Sequence, residues 1–284
     1  MTPTGRSQIP VDILLDILDN LNKSDLATMC RLNKLCCALI QPILFRDIRI
    51  QFHESKDFDK RGFALCETLS QSPHLARCVR SFSVRIYEIL MPFGAKVVET
   101  LEFLPSLRHL GLNVHNDFTG QLNGRTFSFK LESFSFYLPY DTDLRNFLNS
   151  QPSLTTVNIR FHDPRVFQNP SRLEFERKIL PNLTRVTTYI TDAEEIIRGR
   201  PVSEITCKGQ PYNITLDFFA LSTAPIQKLT IHYNVLYHRA KPGQLRALFP
   251  SLAHLTLTGC LRFSVSVRVS LRLFIRLFDY SSMP

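Results

Sequence analysis

The chain has 284 residues, of which 44% are hydrophobic and 21% are charged, and this composition excludes a disordered or a collagen-like protein. Only 10 glycines are present and neither glycine-rich phosphate-binding motif occurs, so we do not expect a nucleotide-binding loop. No long uncharged apolar run and no apolar leader near residue 1 is found, so we expect neither a membrane span nor a secretory signal. The seven cysteines are an odd number without C-x-x-C spacing, which favours reduced thiols in the cytoplasm or nucleus over disulfides or a zinc site.

The formal net charge of +9 is unevenly divided along the chain. Residues 9–50 carry five basic and five acidic side chains, residues 261–284 carry a net charge of +3, and Arg6 adds one more. The remaining +5 is spread over the 210 residues between them. This thin spread favours a general anion-facing surface and does not indicate a concentrated nucleic-acid patch.

Residues 9–50 are predicted to form three short helices, because 24 of these 42 residues are apolar and helix signals recur. The first helix follows Pro10 and ends near Asn20. The second begins near Ser24, which is a plausible N-cap. The third runs from about Asn33 to Ile40, since the residue before a proline disfavours the helical conformation.

The first of these helices is apolar around most of its circumference. Its polar residues, Asp12, Asp16 and Asp19, form one narrow stripe. A unit of about 40 residues buries only part of its apolar surface. The surplus is therefore predicted to dock, either on the rest of this chain or on a partner.

The same segment contains a series of short motifs in a fixed order: Ile9-Pro10, Ile13-Leu14, Ile17-Leu18, Leu21, Asp25-Leu26, Arg31-Leu32 and Pro42-Ile43-Leu44-Phe45-Arg46. In order and spacing they resemble the F-box, most closely the fungal versions that end in P-x-L-F-R. The chain departs from the family in having no tryptophan, with Leu35-Cys36-Cys37 in the third helix. The resemblance implies docking onto the Skp-type adaptor of an SCF (Skp–cullin–F-box) ubiquitin ligase and, through it, a cullin–RING ligase. Carried over by position, the adaptor-binding residues are Pro10, Leu14, Leu18, Leu26, Leu32, Pro42 and Phe45.

Beyond a helical connector at 51–78, the organising signal at 79–260 is an internal repeat. The frame apolar-x-x-apolar-x-apolar recurs eight times: Val79-Phe82-Val84, Leu107-Leu110-Leu112, Leu131-Phe134-Phe136, Leu154-Val157-Ile159, Leu183-Val186-Thr188, Val202-Ile205-Cys207, Ile226-Leu229-Ile231 and Leu252-Leu255-Leu257. The spacing lies near that of leucine-rich repeats, and the repeats resemble the irregular ones attached to fungal F-boxes. The alternation in each frame predicts a short strand with one buried face. We therefore predict an α/β fold, in which the three-helix F-box precedes a leucine-rich-repeat-like solenoid with a curved parallel sheet.

Helical stretches are predicted between the strands, at Gly94–Leu104, Ser171–Leu180, Asp192–Arg198 and Gln244–Phe249. Residues 261–284 abandon the frame and form an atypical C-terminal tail. Alternation from Leu261 to Leu273 predicts one long amphipathic strand, and we expect this tail to be poorly ordered.

Histidine and cysteine side chains are interpreted as structural. His109 and His254 hold the same position in two repeats, just before the second leucine of the strand, and are expected to face outward. Cys36 and Cys37 lie on an apolar helix, where thiols are packing residues. No hydrolase or metalloprotease motif is present, so we expect neither catalysis nor a cofactor or metal.

These expectations combine into a non-enzymatic adaptor, whose repeats bind an unidentified protein target while its F-box binds the ligase core. Proximity then promotes ubiquitin transfer. Outward-facing cations are candidate target contacts: Arg108, Arg160, Arg185 and Lys228. We expect no nucleic acid and no membrane partner. Two alternatives stay open, namely an interaction scaffold without a role in degradation, and a basic surface that binds nucleic acid or anionic lipid.

Overall fold

The computed structural model describes residues 10–51, 56–85, 91–113, 118–137, 142–159, 178–209, 215–232, 234–235, 247–259 and 267–269. The helices are α1 Val11–Asp19, α2 Lys23–Met29, α3 Lys34–Leu44, α4 Lys56–Gln71, α5 Pro73–Ala76, α6 Met91–Glu102, α7 Thr119–Leu122, α8 Thr142–Asn149 and α9 Ile190–Ile197. The strands are β1 Asp47–Gln51, β2 Ser81–Arg85, β3 His109–Asn113, β4 Ser133–Phe136, β5 Thr156–Ile159, β6 Arg185–Tyr189, β7 Glu204–Lys208, β8 Lys228–His232, β9 His254–Thr258 and β10 Val267–Val269. A 3-10 helix at Asp217–Leu221 lies between β7 and β8.

All ten of these strands form one sheet, and their order in the sheet is their order in the chain. The strands β1 to β9 are parallel, whereas β10 pairs antiparallel with β9. Parallel neighbours in chain order require each unit to stack on the one before it, as a solenoid does. The predicted α/β class is therefore confirmed, with a nine-strand parallel sheet that is consistent with a curved solenoid of strand–helix units.

The eight predicted repeat frames coincide with eight consecutive strands, β2 to β9. Phe82 is opposite Leu110, Leu110 is opposite Phe134, and the register continues in this way to Leu255. These side chains are buried, as are nearly all the other frame positions. Thr188 and Cys207, the weakest matches to the frame, are also buried and lie opposite each other. The period-two pattern thus predicted both the strands and their inward faces.

One backbone carbonyl in each unit holds the next unit in register. The carbonyl of Arg46 accepts hydrogen bonds from the amides of Arg80 (2.9 Å) and Ser81 (3.0 Å), and the carbonyl of Arg80 accepts from Arg108 (2.8 Å) and His109 (2.9 Å). The same pair of amide hydrogen bonds is accepted by the carbonyls of Arg108, Glu132, Thr155, Thr184, Ser203 and Gln227. Residues at this frame position are therefore stacked in one line along the sheet.

This hydrogen-bond pattern reveals a ninth frame in addition to the eight that were predicted. Phe45, Ile48 and Ile50 have the spacing of the frame, and β1 pairs with β2 so that Ile48 is opposite Phe82. Ile48 and Ile50 are buried, and Phe45 packs on the same core. The sheet consequently begins inside the range 9–50 that was assigned to the helical unit. Helices α4 and α5 occupy the range 51–78, where the helical connector was predicted.

Two helix ends differ from the prediction. The N-cap of α2 is Asn22, whose side chain accepts from the amide of Asp25 (3.0 Å), and Ser24 lies inside the helix. Helix α3 begins after Asn33 as predicted but continues through Pro42 to Leu44. Proline removes one hydrogen bond from the last turn, and the packing of Leu44 and its neighbours against the other helices compensates for that loss.

The predicted helices between the strands are partly confirmed. Helices α6 and α9 match the predictions at Gly94–Leu104 and Asp192–Arg198. Most of Ser171–Leu180 and of Gln244–Phe249 lies outside the described residues. Helix α7 and the 3-10 helix were not predicted, because these short segments lack a strong start signal in the sequence. Helix α8 was predicted only at its start, where the acidic pair Asp141/Asp143 indicates a helix N-terminus, and Asp143 lies in its first turn.

The C-terminal tail is described at β10 alone, where Val267 lies opposite Leu257. The rest of the predicted strand between Leu261 and Leu273 lies outside the described residues. The expected poor order of the tail concerns the same residues and stays a prediction. Among the described helices, none combines the length and the apolar character that a membrane crossing requires.

The buried apolar residues form two separate clusters. The larger one runs along the inner face of the sheet from Ile48 to Leu257 and is covered by helices such as α6 and α8. Phenylalanine rings pack together in it: Phe63 meets Phe93 edge to face with centroids 4.9 Å apart, and Phe134 lies 5.3 Å from Phe147. The smaller cluster belongs to the three N-terminal helices.

Candidate docking surfaces

Helices α1, α2 and α3 enclose a small core of their own. We call these helices and the turns between them, residues 10–44, the three-helix unit. Three side chains in it are fully buried, Leu18, Leu26 and Ile40. Eight more are partly buried around them: Leu14, Leu21, Met29, Cys30, Cys36, Leu39, Ile43 and Leu44. A core of this size leaves much of the apolar surface of the unit uncovered.

The uncovered apolar residues are concentrated in this unit. Seven large hydrophobic side chains are exposed in the described part of the chain, and six of them belong to the three-helix unit: Val11, Ile13, Leu15, Ile17, Leu32 and Leu35. Leu32 and Leu35 are the most open, at 67% each. The seventh is Phe103, which follows α6. Large apolar residues grouped in this way are typical of an interaction surface rather than of a scattered, ordinary surface.

The geometry of α1 explains why so many of its apolar residues stay outside. Leu14 and Leu18 point into the small core. A helix turns about 100° per residue, so Val11 and Leu15 lie on one side of this buried stripe, and Ile13 and Ile17 lie on the other. The apolar arc of α1 is thus wider than the stripe that the rest of the unit covers.

The seven predicted adaptor-binding residues do not all lie on this exposed surface. Leu18 and Leu26 are buried in the small core, so they support the unit from within and are not open to a partner. Leu14 is half-buried there. Pro10, Leu32 and Pro42 are exposed.

Phe45 differs from the other predicted residues because it belongs to the larger core. It is half-buried against the inner face of the sheet and occupies the first position of the ninth frame. The sequence prediction also omitted five exposed residues: Val11, Ile13, Leu15, Ile17 and Leu35. A helical projection of α1 that separated the centre of the apolar arc from its margins would have found four of them.

The three-helix unit is joined to the sheet without a linker. Only Phe45 and Arg46 separate the end of α3 from the start of β1. The ammonium group of Lys23 on α2 also donates a hydrogen bond to the backbone carbonyl of Asp47 on β1. The chain is therefore anchored on both sides of this connection, by Leu44 in the small core and by Phe45 in the large one.

The outward face of the sheet is polar, and its central row is short. Ser83, Gly111 and Ser135 lie opposite one another at the middle position of their strands. The row continues with Asn158, Thr187, Thr206, Thr230 and Thr256. A Cβ atom at Gly111 would lie 2.8 Å from the hydroxyl oxygen of Ser83, so this position tolerates no side chain without a shift. The residues of this row are half-buried and mostly carry short hydroxyl side chains.

Charged residues on this face are paired across neighbouring strands. Glu204 on β7 lies between Arg185 on β6 (Nε to Oε2, 3.3 Å) and Lys228 on β8 (Nζ to Oε1, 2.8 Å). Arg108 contacts Glu132 (Nη1 to Oε1, 3.1 Å). Three of the four cations that we named as candidate target contacts are thus engaged in ion pairs, and Arg160 lies outside the described residues. Exposed ion pairs of this kind contribute little to the free energy of unfolding. Their cations can therefore bind another anion at little cost.

One arginine is fully buried in the larger core, and its burial was not predicted. The Nε atom of Arg200 donates to the carbonyl of Ile179 (2.8 Å), and Nη1 donates to the carbonyls of Ile196 (2.8 Å) and Glu195 (3.0 Å). It thereby satisfies carbonyls at the C-terminal end of α9, where a cation is favoured. Its role is structural.

Asp192 in the first turn of α9 is also buried. Burial raises its pKa to about 6, which the hydrogen bond from the Thr191 hydroxyl to Oδ1 (3.1 Å) opposes. The other oxygen, Oδ2, has no hydrogen-bond partner among the described residues. An unpaired buried carboxylate favours the protonated form, so this group makes the fold sensitive to pH.

The two frame histidines are exposed as predicted, and the described cysteines differ in their burial. His109 and His254 are exposed at the first position of β3 and β9. Cys66 and Cys207 are buried, and burial raises the pKa of both thiols. Cys36 and Cys37 are half-buried on α3. Within the described residues, no group of three or more His, Cys, Asp or Glu side chains is arranged to hold a metal ion.

Comparison with models of known protein families finds no match to this chain, and comparison with curated proteins also finds none. The two surfaces described above are therefore the features of the molecule that bear on its function.

Proposed function

We propose that this chain is a substrate-recognition adaptor of an SCF-type ubiquitin ligase. In this proposal the three-helix unit is an F-box that binds a Skp-type adaptor, and the parallel sheet carries irregular leucine-rich repeats that bind a protein target. The observation that supports it most directly is the group of six exposed apolar side chains on the three-helix unit. The order of the sequence motifs in residues 9–46 supports it independently.

Burial of these side chains provides the driving force for adaptor binding. Fully burying one large apolar side chain contributes about 1.5–3 kcal/mol. Ile13 and Ile17 lie one turn apart on one margin of α1, and Val11 and Leu15 lie one turn apart on the other. This spacing suits recognition of a helix in an apolar groove, in which side chains at i and i+4 enter adjacent pockets.

The direct connection between the three-helix unit and the sheet supports the second half of the proposal. A target bound to the repeats is held near the ligase core, because the junction is short and is supported by Leu44, Phe45 and the Lys23–Asp47 hydrogen bond. The contribution of this chain is then a high local concentration of target at the ligase, and the chemistry belongs to other subunits.

The experiment is co-expression of the chain with a Skp-type adaptor, followed by affinity purification. The double variant Ile13→Asp/Ile17→Asp places charges on the exposed margin of α1 without entering the small core. We expect adaptor recovery to fall by at least about tenfold, since two desolvated anchors are lost. The variant Leu32→Asp/Leu35→Asp tests the other exposed pair in the same way.

Phe103→Asp is the control, because it places a carboxylate on an exposed apolar residue far from the three-helix unit in the sequence, although it adds one charge where each double variant adds two. It is expected to leave adaptor recovery unchanged. Far-ultraviolet circular dichroism confirms that each variant is folded. Wild-type recovery from both double variants would contradict the proposal.

A role in degradation is distinguished from scaffolding by target turnover. Proteins that co-purify with the wild-type chain are followed after synthesis is blocked, with and without proteasome inhibition. The proposal predicts that a target is stabilised both by the inhibitor and by Ile13→Asp/Ile17→Asp. Targets that bind the chain but are not turned over would favour the scaffold.

A further inference from the structure

The fold brings together three positively charged residues that do not form a cluster in the sequence. Arg46, Arg80 and Arg108 are separated by 34 and 28 residues in the chain. Each of them supplies the frame carbonyl that accepts two amide hydrogen bonds from the next unit. They are therefore neighbours in one line across β1, β2 and β3, about 4.8 Å apart from strand to strand. We call these three residues the arginine ladder.

The side chains of the ladder are exposed, and their charges are largely uncompensated. Arg108 pairs with Glu132, the residue at the same frame position of the following unit. Within the described part of the chain, the guanidinium groups of Arg46 and Arg80 form no ion pair. The exposed carboxylate closest in sequence is that of Asp47, and exposed Arg49 and Arg77 add further positive charge nearby in the chain.

Elsewhere the same sheet places opposite charges side by side. Arg185 and Lys228 flank Glu204, and Glu132 lies beside Arg108. The Arg108–Glu132 contact also demonstrates that side chains at this frame position reach one another across adjacent strands. Like charges in adjacent positions are unfavourable. The neighbouring Arg46 and Arg80 therefore differ from these pairs of opposite charge. An anionic partner that lies across the ladder would remove this repulsion.

We propose that the arginine ladder is a binding site for an acidic polypeptide segment, one rich in aspartate or glutamate. Arginine forks bind carboxylates in a bidentate manner, and a row of arginines at strand spacing offers successive side-chain carboxylates a partner each. All three arginines of the ladder are exposed immediately before the start of their strands, so a bound segment can reach them from solvent. This site does not depend on the proposed ligase function.

The test measures binding of a fluorescein-labelled oligoglutamate peptide to the full chain by fluorescence anisotropy at low salt. The variant Arg46→Gln/Arg80→Gln is expected to weaken binding by about tenfold, since two exposed charge contacts are lost. Lys60→Gln/Lys178→Gln removes the same charge from exposed positions outside the ladder and is expected to change the affinity by less than about twofold.

A third variant tests the ladder by a gain of binding. Glu132→Gln releases Arg108 from its ion pair, and the affinity is expected to rise by about threefold. Double-stranded DNA and phosphatidylserine vesicles are measured in parallel.

Three results would overturn the proposal: absence of peptide binding, an equal loss in the ladder and control variants, or tighter binding of DNA or vesicles than of the peptide. Equal losses would reveal a diffuse charge effect, and tighter binding of DNA or vesicles would assign the ladder to phosphate groups.

Discussion

The three-helix unit and the parallel sheet bury their apolar residues in different ways. In the sheet, nine stacked frames share one continuous core, and every inward strand position from Ile48 to Ile231 is buried. In the three-helix unit, three fully buried side chains stabilise three helices, while six large apolar residues face outward. Within the described residues, the sheet buries its inward apolar side chains itself, whereas the three-helix unit leaves six large apolar side chains exposed. The difference locates the exposed apolar surface at the three-helix unit.

The largest expected effect comes from breaking the core of the sheet. Phe134 is fully buried between Phe136 and Phe147. Phe134→Ala is predicted to lower the free energy of unfolding by about 3–5 kcal/mol, because it removes a large apolar group and leaves a cavity. Urea unfolding measures it. Phe103→Ala, at an exposed phenylalanine, is expected to cost less than about 1 kcal/mol, and equal losses would contradict the description of the core.

The buried arginine of the sheet is the next most sensitive position. Arg200→Ala is predicted to lower the free energy of unfolding by about 2–4 kcal/mol, since it strips several buried carbonyls of their donor. Arg198→Ala is the control, because Arg198 is exposed and pairs with Glu194. Its expected effect is below about 0.5 kcal/mol, and a similar loss in both variants would refute the capping role of Arg200.

Asp192 on α9 makes the stability of the repeat region depend on pH. The pKa of Asp192 in the folded protein is raised to about 6, above its unfolded value near 3.8. The folded state therefore binds the proton more tightly, and this contribution to stability is complete below about pH 4 and is lost as the pH rises through 6.

Asp192→Asn removes that dependence. The variant is predicted to be more stable than the wild type at pH 7, by up to about 2 kcal/mol, and the difference should shrink toward pH 4. Urea unfolding across this pH range measures it. A difference between the two proteins that does not change with pH would exclude Asp192 as the source.

The smallest expected effect lies in the three-helix unit. Asn22→Ala removes the side chain that caps α2 and is predicted to cost about 1 kcal/mol. Ser24→Ala is the control and is expected to have almost no effect, since Ser24 lies within the helix. Thermal unfolding followed by helical circular dichroism compares them. The reverse order of effects would restore Ser24 as the cap.

The sequence predicted most of the sheet because its signal is local. Frames such as Leu107-Leu110-Leu112 show the period-two alternation within six residues, and burial follows from that pattern alone. The first frame was not predicted because Phe45 also belongs to the motif P-x-L-F-R. It was therefore assigned to the adaptor-binding residues and not to the repeat frame. The cap of the second helix was misplaced because Asn22 and Ser24 are both good caps, and only the backbone geometry selects between them.

The features that were not predicted depend on residues that are distant in the sequence. Arg46 and Arg80 become neighbours only when two units stack, so no charge count along the chain finds them. The burial of Arg200 depends on contacts such as its hydrogen bond to the carbonyl of Ile179, 21 residues away in the chain. A single arginine in the sequence does not indicate such a contact. The exposed margin of α1 was predicted only as an apolar surplus, although a helical projection of α1 separates its outward residues from Leu14 and Leu18.

The outer apolar residues of the three-helix unit are exposed in the free chain, and we propose that a partner covers them. Hydroxyl-radical footprinting of the full chain, alone and with a purified Skp-type adaptor, tests this residue by residue. We expect Ile13, Ile17, Leu32 and Leu35 to be oxidised in the free chain and protected in the complex, and Leu18 to be protected in both. Protection of the four outer residues in the chain alone would contradict it.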